Sequence, residues 1–259
     1  MFPSAVERIR IDKAAVDEGF GLRHADDGDW LAYEGLGTPG ALRLTMAGDN
    51  YLVATNHAGV ALELQSHGLT GNIEGTPATP VGFAAFAVSG TVALHRLVRD
   101  IRRLARSLPQ EPLRVYEAKI AHLPRTTEAE RLVIMRVGQG VFREALMDYW
   151  GGSCAATGVS EPRLLRASHI KPWARCETDA ERLDVHNGLL LAAHLDAAFD
   201  AGLISFADDG SILLSPRFAP SDRAALGIHE GLTLKRIGHG HLANLQWHRA
   251  HLFGNPDAL

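Results

Sequence analysis

A chain of 259 residues with 46% hydrophobic side chains can bury one large core or two modest ones, and no apolar run in it approaches the length needed to span a bilayer. Its two cysteines, Cys154 and Cys176, lie outside any CxxC pair, which excludes a disulfide framework and a four-cysteine zinc site within the chain. The net charge of -4 argues against nucleic acid only until it is divided along the chain: Arg96 to Arg175 carries 15 basic and 8 acidic side chains, against 5 and 11 before it and 6 and 11 after it.

A phosphate backbone responds to local field, so the central segment is the candidate nucleic-acid face. The opening MFPSAVERIRIDK lacks the basic-then-apolar layout of a secretory signal, which predicts a cytoplasmic protein without a membrane partner. The first ninety or so residues read as a strand-leaning mixed module. Ala41 to Met46 alternates in strand fashion, and the turn at Gly48 to Asn50 leads into YLVAT; Val60 to Leu64 and Gly82 to Val88 are further strand candidates. Leu94, Leu97, Ile101, Leu104 and Leu108 then recur at helical spacing, with Arg96, Arg99, Arg102, Arg103 and Arg106 on the other faces. Pro109 and Pro112 stop this helix, and 108–127 reads as a linker.

A second helix is predicted from about Glu128 to Tyr149, with Leu132, Met135, Phe142, Leu146 and Tyr149 as its core side and Gly138 and Gly140 as a weak point. Short strands follow in LLRASHI and NGLLL, then a short helix through HLDAAFD, then a hairpin in GLISFADDGSILLS. The fold class expected is α+β, with a mixed N-terminal module (1–107), a linker (108–127) and a C-terminal domain (128–259).

Between Cys154 and Asp200 lie a strand histidine (His169), an Asn-Gly pair (Asn187, Gly188) and a polar helix (His194, Asp196, Asp200). Each is weak alone; their order carries the signal. RVGQGVFR (136–143), CAATG (154–158), ASHIKPW (167–173), NGLLL (187–191), FDAGLISF (199–206) and WHRAHLF (247–253), in this order, resemble the HNH endonucleases, closest to the bacterial branch marked by RxGQxxFR and ASHIKPW. The resemblance covers the chain from about Leu113 onward and leaves the first hundred residues unassigned. It implies a strand-strand-helix metal nuclease fold acting on double-stranded DNA, with His169 as general base and one Mg²⁺ or Mn²⁺ ion per site as Lewis acid. Asn187 is implied to orient the loop and the base.

The sequence departs from the family pattern at the metal. Ser168 stands where an acidic residue or histidine is usual. The third motif position falls at Asp196, with His194 the competing ligand; residues two apart on a helix cannot share a face. Asp200 shares a face with Asp196, and capping or loop anchoring is the preferred role for it. Arg143, Lys171 and Arg175, with Arg99 and Arg103 of the earlier helix, are candidate nucleic-acid contacts; an ion pair with Glu144 or Asp148 competes for Arg143. Trp173 is expected in the core, and Cys154 beneath the hairpin. The leading function is a metal-dependent endonuclease, of restriction type and modification-dependent by analogy, with the N-terminal module for target recognition or for holding a homodimer. The acidic balance of that module argues against nonspecific phosphate binding there. The alternatives are an HNH-fold DNA-binding or regulatory protein that has lost catalysis and, less favoured, an enzyme acting on a small phosphodiester.

Overall fold

The computed structural model describes residues 3–66, 68–69, 77–124 and 126–255. The chain divides into two compact units, Met1–Leu108 and Pro109–Leu259. Among the described residues no helix is long and apolar enough to cross a membrane.

The first unit begins with helix α1 (Ala5–Asp17), started by Ser4, whose hydroxyl accepts from the Glu7 amide while the Glu7 carboxylate accepts from the Ser4 amide. Strands β1 (Leu22–Arg23), β2 (Leu31–Gly35), β3 (Thr38–Ala47) and β4 (Asn50–Thr55) follow. Helix α2 (Ala58–Ser66), strand β5 (Ala84–Ser89) and helix α3 (Thr91–Ser107) complete the unit. The strands form one antiparallel sheet in the order β1-β2-β3-β4-β5. Register stacks large side chains across it: Leu31 opposes Leu44, Tyr33 opposes Leu42, Leu44 opposes Val53, and Val53 opposes Phe86, all buried. The alternate positions Leu52 and Ala54 join Trp30 in a smaller cluster. Helix α3 packs on β3, β4 and β5, and its stripe from Leu94 to Leu108 is buried throughout, as the spacing predicts.

One expectation for this unit needs correction. Val60 to Leu64 belongs to α2 rather than to a strand: so short a largely apolar run does not separate the two states, and the His57 ring nitrogen accepts the Val60 amide to open the helix. Helix α1 has no apolar stripe: it buries only Ile11 and two alanines while Val6, Ile9 and Val16 face solvent.

The second unit starts with helix α4 (Gln110–Ile120), inside the stretch expected to be a linker. Pro112 stands in its first turn, where the missing amide has no helical partner to lose, so it opens the helix instead of ending one. Helix α5 (Glu128–Tyr149) is continuous through both glycines and is capped reciprocally by Thr127 and Glu130. Its expected core residue Leu132 is about half exposed. Then come strand β6 (Leu165–His169), helix α6 (Asp179–Leu183), strand β7 (Gly188–Ala192) and helix α7 (Ala193–Asp200). Strands β8 (Ile204–Phe206) and β9 (Ile212–Leu214) and helices α8 (Pro220–Ala225) and α9 (His239–His251) close the chain. Strands β6 and β7 pair antiparallel, and both α5 and α7 pack on them. The DDG hairpin between β8 and β9 turns at Gly210, φ 85°.

Candidate active site

Strand β6 supplies the first part of the site. Leu165 is buried, Arg166 exposed and Ser168 buried, and His169 ends the strand opposite Gly188. The His169 ring stacks on Phe142 of α5 at 3.8 Å and meets Trp173 edge-on at 5.5 Å. Its Nε2 donates to the Arg182 carbonyl at 2.9 Å. That bond assigns the proton to Nε2 and leaves a lone pair on Nδ1, which has no hydrogen-bond partner among the described residues. Burial lowers the His169 pKa, opposed in part by the Arg182 carbonyl, so the ring is neutral near pH 7.

Asn187 is fully buried at the end of a 3-10 turn, Val185–Asn187. Its Oδ1 accepts from the Lys171 amide at 2.8 Å, and its Nδ2 donates to the Lys171 carbonyl at 3.2 Å, the Glu181 carbonyl at 3.3 Å and Cys176 Sγ at 3.3 Å. The backbone carbonyl of Asn187 accepts from the Ile170 amide at 3.0 Å. One side chain therefore ties down the loop that leaves His169. Gly188 is not a turn glycine: it is extended, with φ -148°. It is small because Phe142 packs there; a Cβ would lie 2.5 Å from Phe142 Cζ and 2.9 Å from the Leu146 methyl groups.

A cleft of about 390 Å³ is lined by Arg166, Ser168, His169, Trp173, Asp196 and Asp200, among others. Asp196 and Asp200 lie one turn apart on α7. The Asp196 carboxyl is raised by burial, with the Ser168 hydroxyl and the Arg166 charge working the other way. Asp200 is pushed up to about 6, first by burial of its carboxyl and then by the Asp196 charge. The Asp200 side chain keeps an exposed edge, but its carboxyl is crowded by protein, and the direction of the shift follows from that crowding. The Ser168 hydroxyl donates to Asp200 Oδ1 at 3.5 Å. Two mutually repelling carboxylates and a hydroxyl are hard oxygen donors that fit a divalent cation. Among the described residues there is no group of three or more His, Cys, Asp or Glu that could hold one.

The other expected residues fall into distinct places. His194 is half-buried and does not line the cleft, so Asp196 is the one of the two that the fold brings there. Arg143 donates to the carbonyls of Leu165 and Pro162, each at 2.8 Å; its guanidinium holds the chain entering β6, which disagrees with both the phosphate clamp and the local ion pair expected for it. Lys171 is held by Glu181 at 2.5 Å and is mostly covered. Arg175 is exposed and has no ion-pair partner among the described residues. Arg99 and Arg103 belong to the first unit; Arg99 grips Glu18 with two hydrogen bonds, and Arg103 is half-buried.

Asp200, expected to cap or anchor, and Ser168, the departure from the family pattern, line the cleft together with Arg166. The i,i+2 relation of Arg166 to Ser168 on a strand was the signal available for that pair. Trp173, expected in the core, is half-buried between His169 and Gly138. Cys154 is fully buried, with Sγ accepting from the Ala192 amide at 3.3 Å.

A search of curated proteins finds no match to the chain. Residues 154–207, which run from Cys154 through β6, β7 and α7 into β8, match the model of a family described as HNH endonuclease. That segment, the one that holds His169, Asn187, Asp196 and Asp200, is similar to the HNH endonuclease family.

Proposed function

We propose that the second unit is a metal-dependent endonuclease that hydrolyses DNA phosphodiester bonds. The observation that carries this reading is one cleft holding a neutral, oriented imidazole beside two repelling carboxylates. His169 accepts a proton at Nδ1 from the attacking water, whose oxygen bonds to phosphorus as the bond to the leaving sugar oxygen breaks. The Arg182 carbonyl holds the Nε2 proton and stabilises the imidazolium that results. Asn187 contributes position: it fixes both backbone groups of Lys171 and so the loop after the base. Asp196 and Asp200 would hold the divalent cation, with Ser168 orienting Asp200. When bound there, Mg²⁺ or Mn²⁺ supplies Lewis-acid stabilisation of the phosphorane and of the leaving oxygen.

The first unit is assigned to target recognition or to pairing two chains, which makes the protein a candidate restriction-type enzyme. The test is plasmid cleavage with and without Mn²⁺, on DNA from methylating and non-methylating hosts. Expected is metal-dependent cleavage that His169→Ala lowers by about 10²- to 10⁴-fold, with Asp196→Asn and Asp200→Asn raising the Mn²⁺ required. A difference between the two DNA preparations would assign modified-base reading to the first unit. One observation favours a second reading, a DNA-binding protein that does not cut: the cleft offers only two acids, with serine where a third ligand is usual. Folded protein that binds DNA but cleaves neither preparation would establish that reading and overturn the first.

A further inference from the structure

The first unit contains a cleft that the sequence conceals. Helices α1 and α3 enclose about 520 Å³ lined by Arg10 and Lys13 from α1 and by His95, Arg96 and Arg99 from α3, with Thr91 of its first turn. These cations are separated by some eighty positions in a segment whose overall balance is acidic, and only the packing of α1 on α3 brings them together.

Their countercharges are few and specific. Lys13 pairs with Asp17 at 2.7 Å. The buried carboxylate of Glu18 accepts from Arg99 Nε at 2.8 Å and Nη2 at 2.7 Å, and its Oε1 lies 3.1 Å from His95 Nδ1. Glu18 thereby spends both oxygens inside the wall and holds the Arg99 guanidinium in place with Nη1 left over. Arg10 and Arg96 are exposed and have no ion-pair or hydrogen-bond partner among the described residues. The lining carries four permanent cations and no acid, with Asp17, Glu18, Glu7 near Arg10 and Asp100 near Arg99 as the neighbouring charges, and fixed arginines with spare donors suit the tetrahedral oxygens of a phosphate.

We propose that this cleft binds phosphate, presented by a DNA backbone or by a small phosphate anion. The DNA source rests on the nuclease reading above; the small-anion source does not.

The experiment measures binding, not cleavage, so its outcome is separate from that of the His169 test. Full-length wild type and Arg10→Ala/Arg96→Ala are compared for affinity toward a short duplex across a salt series without divalent metal. Their thermal stabilisation by inorganic phosphate, relative to chloride at equal ionic strength, is measured alongside. Arg10→Lys/Arg96→Lys serves as the charge-retaining control. Both residues are exposed, and unchanged melting in chloride shows that the variants are folded. For a backbone site, the alanine pair loses about tenfold in duplex affinity and its salt slope falls by about 1 to 2, while the lysine pair stays near wild type. For a small-anion site, duplex binding is unchanged and the phosphate stabilisation is lost. If the alanine pair matches wild type in both measurements, or if the lysine pair loses as much as the alanine pair on the affected one, the proposal is wrong.

Discussion

His248 has no exposed surface, yet both of its ring nitrogens are used. Nε2 donates to the Phe199 carbonyl at 3.2 Å, Nδ1 accepts from the Ser205 hydroxyl at 3.0 Å, and the ring stacks on Phe199 at 3.8 Å. It fastens α9 to the end of α7, one residue before Asp200. Protonation of Nδ1 would turn the Ser205 hydroxyl from donor to acceptor and place a charge where the ring has no exposed surface. Burial pushes its pKa down to about 4, with the nearby Arg249 adding to the effect and the Phe199 carbonyl opposing it. The unfolded chain, with an ordinary histidine near 6.5, therefore takes up the proton first as pH falls. Stability from this group is complete above pH 6.5 and is lost toward pH 4, by about 3 kcal/mol. His169 shifts in the same direction, so a difference measurement isolates His248. In urea titrations between about pH 7.5 and about pH 4, His248→Phe is expected to be less stable at neutral pH and to lose distinctly less on acidification. Parallel losses in the two proteins would assign the acid sensitivity elsewhere.

Helix α5 shows how an element carries information that its own sequence does not. Gly138 and Gly140 look alike along the chain, and both read as weak points in a helix. In the fold they differ: a Cβ on Gly138 would lie 2.6 Å from the Trp173 ring, whereas one on Gly140 meets nothing within 4 Å. Gly138 makes room for the indole that stands edge-on to His169. Gly140→Ala is therefore expected to stabilise the protein by up to about 1 kcal/mol, while Gly138→Ala costs about 1–3 kcal/mol from overpacking and shifts the imidazole. Chemical denaturation of both variants, with the His169 ring resonances as a second readout, checks the contrast; equal effects would show that Trp173 does not press on the helix. The same distinction governs legibility in general. The α3 stripe and the β6–β7–α7 order were readable because periodicity and motif order are properties of the chain itself. The purpose of Gly138, the carbonyls that engage Arg143 and the helix inside the supposed linker depend on partners elsewhere, and one-dimensional pattern does not encode partners.

On the scale of the whole molecule, charge follows the same rule. The first unit is acidic by composition and basic in its cleft, because Glu18 and Asp17 are spent on specific cations while Arg10 and Arg96 are left over. In the second unit, His169 and Asn187 were legible from the order of the motifs. Asp200 is expected to cap or anchor, and packing of α7 on β6 brings its carboxylate to the Ser168 hydroxyl at the cleft. The anchoring of Asn187 has a last consequence, for how the protein ages. Asparagine followed by glycine is the pair most prone to deamidation, in which the glycine nitrogen attacks the side-chain carbonyl. Here the Gly188 amide is engaged with the Val185 carbonyl, and the Asn187 amide is buried and bonded on both sides. Conversion to aspartate must wait until the structure around it opens, so the bond acts as a clock that runs only in unfolded molecules. Peptide mapping after long incubation should find Asn187 intact in native protein and converted in mild urea; equal conversion in both would mean that the fold gives it no protection. A stock that has once been partly unfolded would then refold as two populations, one of them permanently missing the side-chain amide that holds the loop beside His169.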